Sequence, residues 1–341
     1  MKTIALLLGA GLLLAAQPEP APAPQPEPAP EDEGSRVVRG TPAQPGSSPW
    51  QIEITLKTKL TEVDLKEDRD RTASDPKQRF YDKMGEWERD HLCGGALIDK
   101  EWALSAAHCF VTSEEKLIKL PAIGVRLGSI DLGYATPMRI ERIIVHGDYR
   151  RSGSKQHDIA LLRLVPDTDT KPDVAAAAGP ARMLSAAMRP LTAGDDLKVT
   201  GWGHTGERAS GAARAVDGRV MRSSRVLLEG RLTLLDQGEC AKVGVYKKTL
   251  GPGVLCVASG DNKEQDSCQG DSGGPLTRQR VLVGLVSTGE GCGRSGVPAL
   301  YTNVAFYADW ITAAKDQSKP ETVMRYAART AAVSPRRTGR G

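Results

Sequence analysis

Asp266-Ser267-Cys268-Gln269-Gly270-Asp271-Ser272-Gly273-Gly274-Pro275 decides the reading of this chain: it sets a serine among glycines, one acid beside it and another six residues upstream. A serine hydroxyl is a poor nucleophile until a histidine takes its proton and a carboxylate holds that histidine's tautomer. Both partners lie upstream, His108 in Ser105-Ala106-Ala107-His108-Cys109 and Asp158 in His157-Asp158-Ile159-Ala160-Leu161-Leu162-Arg163-Leu164. Each segment alone has an ordinary reading, as a Gly-Ser turn, a half-buried imidazole or an acid ahead of an alternating strand. The three together, in the order His, Asp, Ser, are a poor fit to coincidence. Among five histidines, His91, His146, His157 and His204 lack a comparable context and read as surface or loop residues without a role.

These segments resemble the trypsin/chymotrypsin-like serine endopeptidase family, in its trypsin-like branch, over roughly Val37 to Ala313. The resemblance implies an all-β fold of two six-stranded antiparallel β-barrels, with the active site in the cleft between them and a short C-terminal helix. It implies His108, Asp158 and Ser272 as catalytic residues, the backbone N–H groups of Gly270 and Ser272 as an oxyanion hole, and Ser287 as a hydrogen-bond partner of the acid. Asp266 matches the carboxylate at the base of the specificity pocket, so substrates should present Arg or Lys before the scissile bond. No cofactor is implied. After Arg126-Leu127-Gly128 comes Ser129, so the calcium-binding acids of some relatives are not recognisable and no metal is expected.

The 341 residues are 40% hydrophobic and only 4% aromatic, so packing must rely on aliphatic side chains. Met1 to Ala16 carry Lys2, an apolar run and small residues, the pattern of a secretory signal peptide; the run is short for a membrane span. A secreted or periplasmic protein follows. Six cysteines in an exported chain favour disulfides over a metal site, and the spacing of His91, Cys93, His108 and Cys109 fits no common zinc pattern. The resemblance implies the pairs Cys93 with Cys109, Cys240 with Cys256 and Cys268 with Cys292. A further family bridge is missing on both sides, with Leu197 and Arg278 in its places.

Residues 17–36 form a Pro/Glu-rich propeptide or linker that cannot bury apolar surface, and the protease domain would span 37–316. Within it the first barrel is expected over about 50–165 and the second over about 190–303. Ser35-Arg36-Val37-Val38-Arg39-Gly40 resembles the family's activation junction, where cleavage after Arg36 frees the Val37 amine to pair with Asp271; Arg39 stands where the family commonly has Gly. That cut raises the net charge from +4 to about +7. Strands are read at Gln51–Leu56, 122–127, 139–145 and 281–286, and a closing helix at 304–314. Two insertions stand out. Residues 57–92 read as a charged, solvated excursion packed down by Phe80, Tyr81 and Trp87, and residues 204–224 as a segment exposed to self-nicking. The basic tail 317–341 lacks a stacking platform beyond Tyr326 and reads as a disordered extension, with no nucleic acid expected.

Two departures bear on specificity. Gly289 keeps one pocket wall open, but Ala299 adds a methyl near the base, and Thr288 removes an indole that in the family packs against substrate further from the bond. The expected partners are protein or peptide substrates and proteinaceous inhibitors, with the enzyme a monomer. The competing readings are a blocked member acting as a binding protein, and an active protease preferring small residues because of Ala299.

Overall fold

The computed structural model describes residues 37–57, 60–71, 86–112, 114–150, 155–167, 179–185, 188–205, 223–260 and 265–316. The expected signal peptide, the spacer through Arg36 and the tail 317–341 lie outside the described residues, as do Phe80, Tyr81 and residues 206–222.

After a short strand β1 (Thr41–Pro42), the alternating stretch 51–56 forms β2 (Gln51–Leu56). Alternation ordinarily gives a strand with one wet face, yet five of these six residues are fully buried. Ile52 and Ile54 enter an aliphatic core, while Gln51 faces the other barrel, accepting a hydrogen bond at its Oε1 from Thr200 Oγ1 at 2.7 Å. The polar side of the pattern serves the junction between barrels. β2 joins β3 (His91–Leu97), β4 (Trp102–Ser105), β7 (Ala160–Pro166), β6 (Thr136–Val145) and β5 (Ile123–Leu127), which returns to β2 and closes the first barrel. Register shifts at Ile54/Thr55 and Ile140/Arg142 add the local bend that closure needs.

The second barrel runs β9 (Asp196–Gly201), β10 (Leu228–Leu235), β11 (Val254–Ser259), β14 (Ala299–Asn303), β13 (Val281–Thr288) and β12 (Pro275–Arg278), which pairs back to β9. β1 lies beside β10, and β8 (Arg182–Met183) beside β13. All pairings within both rings are antiparallel. Thus the expected pair of six-stranded barrels is present. The closing segment starts as a 3₁₀ turn over Val304–Tyr307, and its helix packs Ile311 and Ala314 onto the first barrel's core.

Helices occupy part of the first insertion. α1 (Glu62–Asp70) begins at a capping box in which Thr61 Oγ1 accepts from Asp64 N–H and Asp64 Oδ2 accepts from Thr61 N–H. α2 (Glu86–Asp90) carries Trp87 against Ala43, Leu132, Trp202 and Leu227, and its buried Glu88 accepts from the Ser223 N–H at 2.8 Å. The excursion is therefore tied down at its second end by Trp87, as expected, and by a carboxylate, which was not.

Three disulfides form, Cys93–Cys109, Cys240–Cys256 and Cys268–Cys292. Where a fourth is absent, Leu197 is buried in the second core and Arg278 reaches Asp195 at 2.9 Å and the Pro190 carbonyl at 3.0 Å. Burial pushes the Asp195 carboxyl up, but hydrogen bonds from Arg189, the Thr192 N–H and Arg278 outweigh it and hold the group at about 2. Ionic contacts thus occupy the place of a covalent one.

The Cys240–Cys256 bridge ties α3 (Gln237–Ala241) to β11 across a separation of 16 residues. A loop of that length is worth about 3 kcal/mol by chain entropy. The Cys240→Ala/Cys256→Ala variant is expected to melt about 6–12 °C lower in calorimetry; an unchanged Tm would contradict this.

Candidate active site

Ser272 sits on a tight turn leading into β12. Asp271 N–H donates to the Cys268 carbonyl at 3.0 Å, Gly274 N–H to the Asp271 carbonyl at 2.8 Å and Gly273 N–H to the Val286 carbonyl at 2.8 Å. From the first barrel, Gly94 N–H donates to the Ser272 carbonyl at 2.8 Å, so both barrels grip the turn. Gly270 has φ of 94°, a conformation that suits glycine. A Cβ there would also lie 2.9 Å from the His91 ring. Among the described residues, no protein acceptor takes the N–H of Gly270 or of Ser272, which leaves both for an external oxyanion.

Asp271 is fully buried beneath this turn. Its carboxylate accepts from Gly203 N–H at 2.8 Å and Cys268 N–H at 2.9 Å. Burial pushes the group up to about 6 in spite of these two donors and of His91 nearby. The seat exists because Gly201-Trp202-Gly203 has no side chains facing it: a Cβ on Gly201 would lie 1.8 Å from Asp271 Oδ1, and one on Gly203 2.5 Å from its Cγ.

His108 belongs to a 3₁₀ turn, Ala107–Cys109, anchored to β3 by the Cys93–Cys109 bridge. Its Nδ1 lies 2.8 Å from Asp158 Oδ2 and its backbone N–H donates to Asp158 Oδ1 at 2.9 Å. Ser287 Oγ donates to Asp158 Oδ2 at 2.6 Å. Burial pushes the Asp158 carboxyl up, but His108 and these hydrogen bonds outweigh it and hold the group below its ordinary value. For His108 burial opposes the charged ring, yet the Asp158 charge and hydrogen bond prevail and the net shift is upward, against the fields of Lys155 and Arg150. That combination suits a base that must accept and then return a proton.

His108, Asp158 and Ser272 line one cavity of about 340 Å³ that also contains Asp266, Gly289 and Ala299. Asp266 accepts from Ser267 N–H at 2.8 Å and Gly293 N–H at 3.0 Å, and burial pushes it up to about 6 against these donors. Val37 is fully buried in the second core beside Val199 and Leu228, with Val38 buried next to the Cys268–Cys292 bridge. The Sγ atoms of Cys93 and Cys109 lie within 4.8 Å of His108, but they are bonded to each other, so this group offers an ion a single nitrogen.

His91, read from sequence as a surface or loop residue, is corrected by the structure. Its side chain is 2% exposed, with Nδ1 3.0 Å from Glu53 Oε1 and Nε2 3.0 Å from the Gly270 carbonyl. Both ring nitrogens face acceptors, so the ring buttresses the back of the oxyanion turn. Glu53 is itself buried, with Arg126 3.6 Å away. Two signals were available: an acid within an apolar strand, and a histidine two residues before Cys93-Gly94-Gly95. His146 and His157 are also more than surface groups, since their rings stack at 4.6 Å and Tyr307 packs edge-on against both.

A family profile described as Trypsin matches residues 37–311. The chain belongs to the trypsin family of serine proteases. It is 35% identical over 286 residues to mouse vitamin K-dependent protein C, covering 81% of this chain and 51% of that one. To the human hepatocyte growth factor activator serine protease it is 29% identical over 280 residues, covering 81% of this chain and 36% of the relative. The chain thus spans about half, or less, of the curated relatives it matches. Among solved structures, neuropsin, a serine protease expressed in mouse brain, aligns with a TM-score of 0.57 at 26% identity, covering 81% of this chain and 99% of its own.

Within this trypsin-family member, Gly201→Ala forces Asp271 out of its seat and with it the turn that presents Ser272. kcat/KM is expected to fall at least ~10²-fold while the three disulfides still form; near-normal kinetics would show that the seat of Asp271 does not control the turn.

Proposed function

We propose that this chain is an exported serine endopeptidase that cleaves after Arg or Lys and is made as a zymogen cut after Arg36. The observation that carries the reading is the single cavity joining the Asp158–His108 pair and Ser272 to the part-buried Asp266. Ser272 attacks the scissile carbonyl while His108 takes its proton, and Asp158 fixes the ring and stabilises its charged form. The N–H groups of Gly270 and Ser272 bind the oxyanion, then His108 protonates the leaving amine and water resolves the acyl-enzyme by the same steps. In the uncleaved chain the Ser272 hydroxyl makes no hydrogen bond to His108 among the described residues, a geometry that commonly tightens once substrate binds.

Asp266 supports the choice of a cationic residue. A desolvated carboxylate in the lining of a pocket is costly to ionise alone, and a guanidinium or ammonium supplies its missing counter-charge. Ala299 lines the same cavity without walling Asp266 off, which favours the cationic reading over a preference for small residues. Activation has a parallel logic. Val37 is held at φ of 36°, a costly conformation for a β-branched residue whose nitrogen is still acylated. Cleavage removes the carbonyl that makes this conformation costly and frees an amine for Asp271. Export is supported by the three disulfides and the leader's composition.

Protein begun at Val37 is expected to hydrolyse an arginyl anilide about 10²-fold or more faster than an alanyl one, and Ser272→Ala to abolish both activities. Equal rates on the two substrates would overturn the role of Asp266. Because Asp266 must be ionised to hold a cation, the affinity for benzamidine is expected to stay high above pH 6 and to fall as pH drops through about 6. Flat binding across that range, measured by calorimetry, would contradict the assignment.

A further inference from the structure

Two cations stand on the wall of the cleft. Lys155 and Arg150 line the same cavity as His108, Ser272 and Asp266. Lys155 Nζ donates to Thr288 Oγ1 at 2.7 Å, filling the place where the sequence suggested an emptied subsite. An ammonium has three N–H donors, and this bond uses one. Arg150 donates to the Thr112 carbonyl at 3.0 Å and lies over the Tyr149 ring. Among the described residues neither cation is paired with a carboxylate. Both are close enough to His108 for their fields to oppose its charging.

Their placement relates them to a bound chain. β12 stops pairing with β13 at Pro275–Leu285 and Gly273 and Gly274 take the backbone of Val286, so β13 runs on past them through Ser287 and Thr288, followed by Gly289, all three lining the cavity. A substrate whose arginine passes Gly289 to reach Asp266 can add to that free edge as a further strand. Its preceding residues then run past Thr288, where Lys155 is fixed.

We propose that Lys155 and Arg150 select arginyl bonds preceded by acidic residues three to five positions earlier, and that one such bond is this chain's own activation site. The segment reads Glu31-Asp32-Glu33-Gly34-Ser35-Arg36, with three acids at those positions. Arg36 is also the single basic residue between Gln17 and Arg36. In an extended chain Glu33 lies roughly 10 Å before Arg36 and Glu31 roughly 17 Å before it, the reach of a cleft wall. Cleaved molecules thereby activate uncleaved ones. The same preference spares the second insertion: Arg208, Arg214 and Arg219 have no acid three to five residues before them, and Arg222 has Asp217 alone. This inference rests on the arginine specificity proposed above and adds to it a class of substrate.

The test compares two anilide peptides, Glu-Asp-Glu-Gly-Ser-Arg and Gln-Asn-Gln-Gly-Ser-Arg, on enzyme begun at Val37. The acidic peptide is expected to have a roughly 3- to 10-fold higher kcat/KM at low salt, with the ratio falling toward one at high salt. In Lys155→Glu the ratio, taken within that variant, is expected to drop below one. With the Ser272→Ala full-length chain as substrate, replacing Glu31, Asp32 and Glu33 by glutamine is expected to slow cleavage after Arg36 by a similar factor. A wild-type ratio of one overturns the proposal, as does an acid preference that Lys155→Glu and Arg150→Glu leave intact. Efficient cleavage of both peptides without discrimination rejects the proposal alone, whereas cleavage of neither rejects the arginine reading and the proposal together.

Discussion

The interaction on which the site depends is the burial of one carboxylate. Asp271 is fully buried with two backbone N–H donors, and those donors leave it near 6 rather than restoring an ordinary acid. A buried charge satisfied by dipoles alone is costly, so a cation able to reach Asp271 stabilises whatever backbone arrangement accompanies it. That arrangement is the turn from Cys268 to Gly274, whose hydrogen bonds hold Ser272 toward the first barrel and whose Gly270 and Ser272 N–H groups have no protein acceptor among the described residues. Gly201 and Gly203 admit the carboxylate, and His91, backed by Glu53, braces the Gly270 carbonyl from behind. On the proposed function the oxyanion hole, the nucleophile and the activation signal are therefore one mechanical unit.

The cleft repeats the same physics at its specificity end. Asp266 is another carboxylate whose burial outweighs its hydrogen bonds, and on the proposed function its complement is carried by the substrate. The chain thus holds two desolvated acids on either side of Cys268, Asp271 inside the Cys268–Cys292 loop and Asp266 just before it; on the proposed function the first is neutralised by the protein's own freed amine and the second by the residue before the scissile bond. Lys155 and Arg150 place the opposite charge outside, where solvent screens it and it tunes choice without determining catalysis.

Much of this was legible in the sequence for a physical reason: the chemistry demands particular residue types at short spacing. Asp266 to Pro275 encodes the turn, the proposed nucleophile and the proposed pocket acid in one contiguous stretch, and β2 and β13 show their strand character through alternation and an apolar run. What escaped depends on contacts between distant segments. His91 and Glu53 lie 38 residues apart and meet only because β2 and β3 pair. Lys155 and Thr288 are separated by 133 residues, and only the folded chain brings the lysine into the cleft. The charge run after Leu56 looked like a solvated loop because periodicity there is weak, whereas the Thr61 capping box was the signal for α1.

On the proposed function, cleavage after Arg36 supplies a counter-charge to the buried Asp271. The most direct test follows the Asp271 carboxyl carbon by carbon-13 NMR as pH is varied, in the Ser272→Ala chain before and after cleavage at Arg36, with Asp271→Asn to assign the signal. The account predicts a midpoint at about 6 in the uncleaved chain and one displaced well into the acid range after cleavage. The same midpoint in both forms would contradict it.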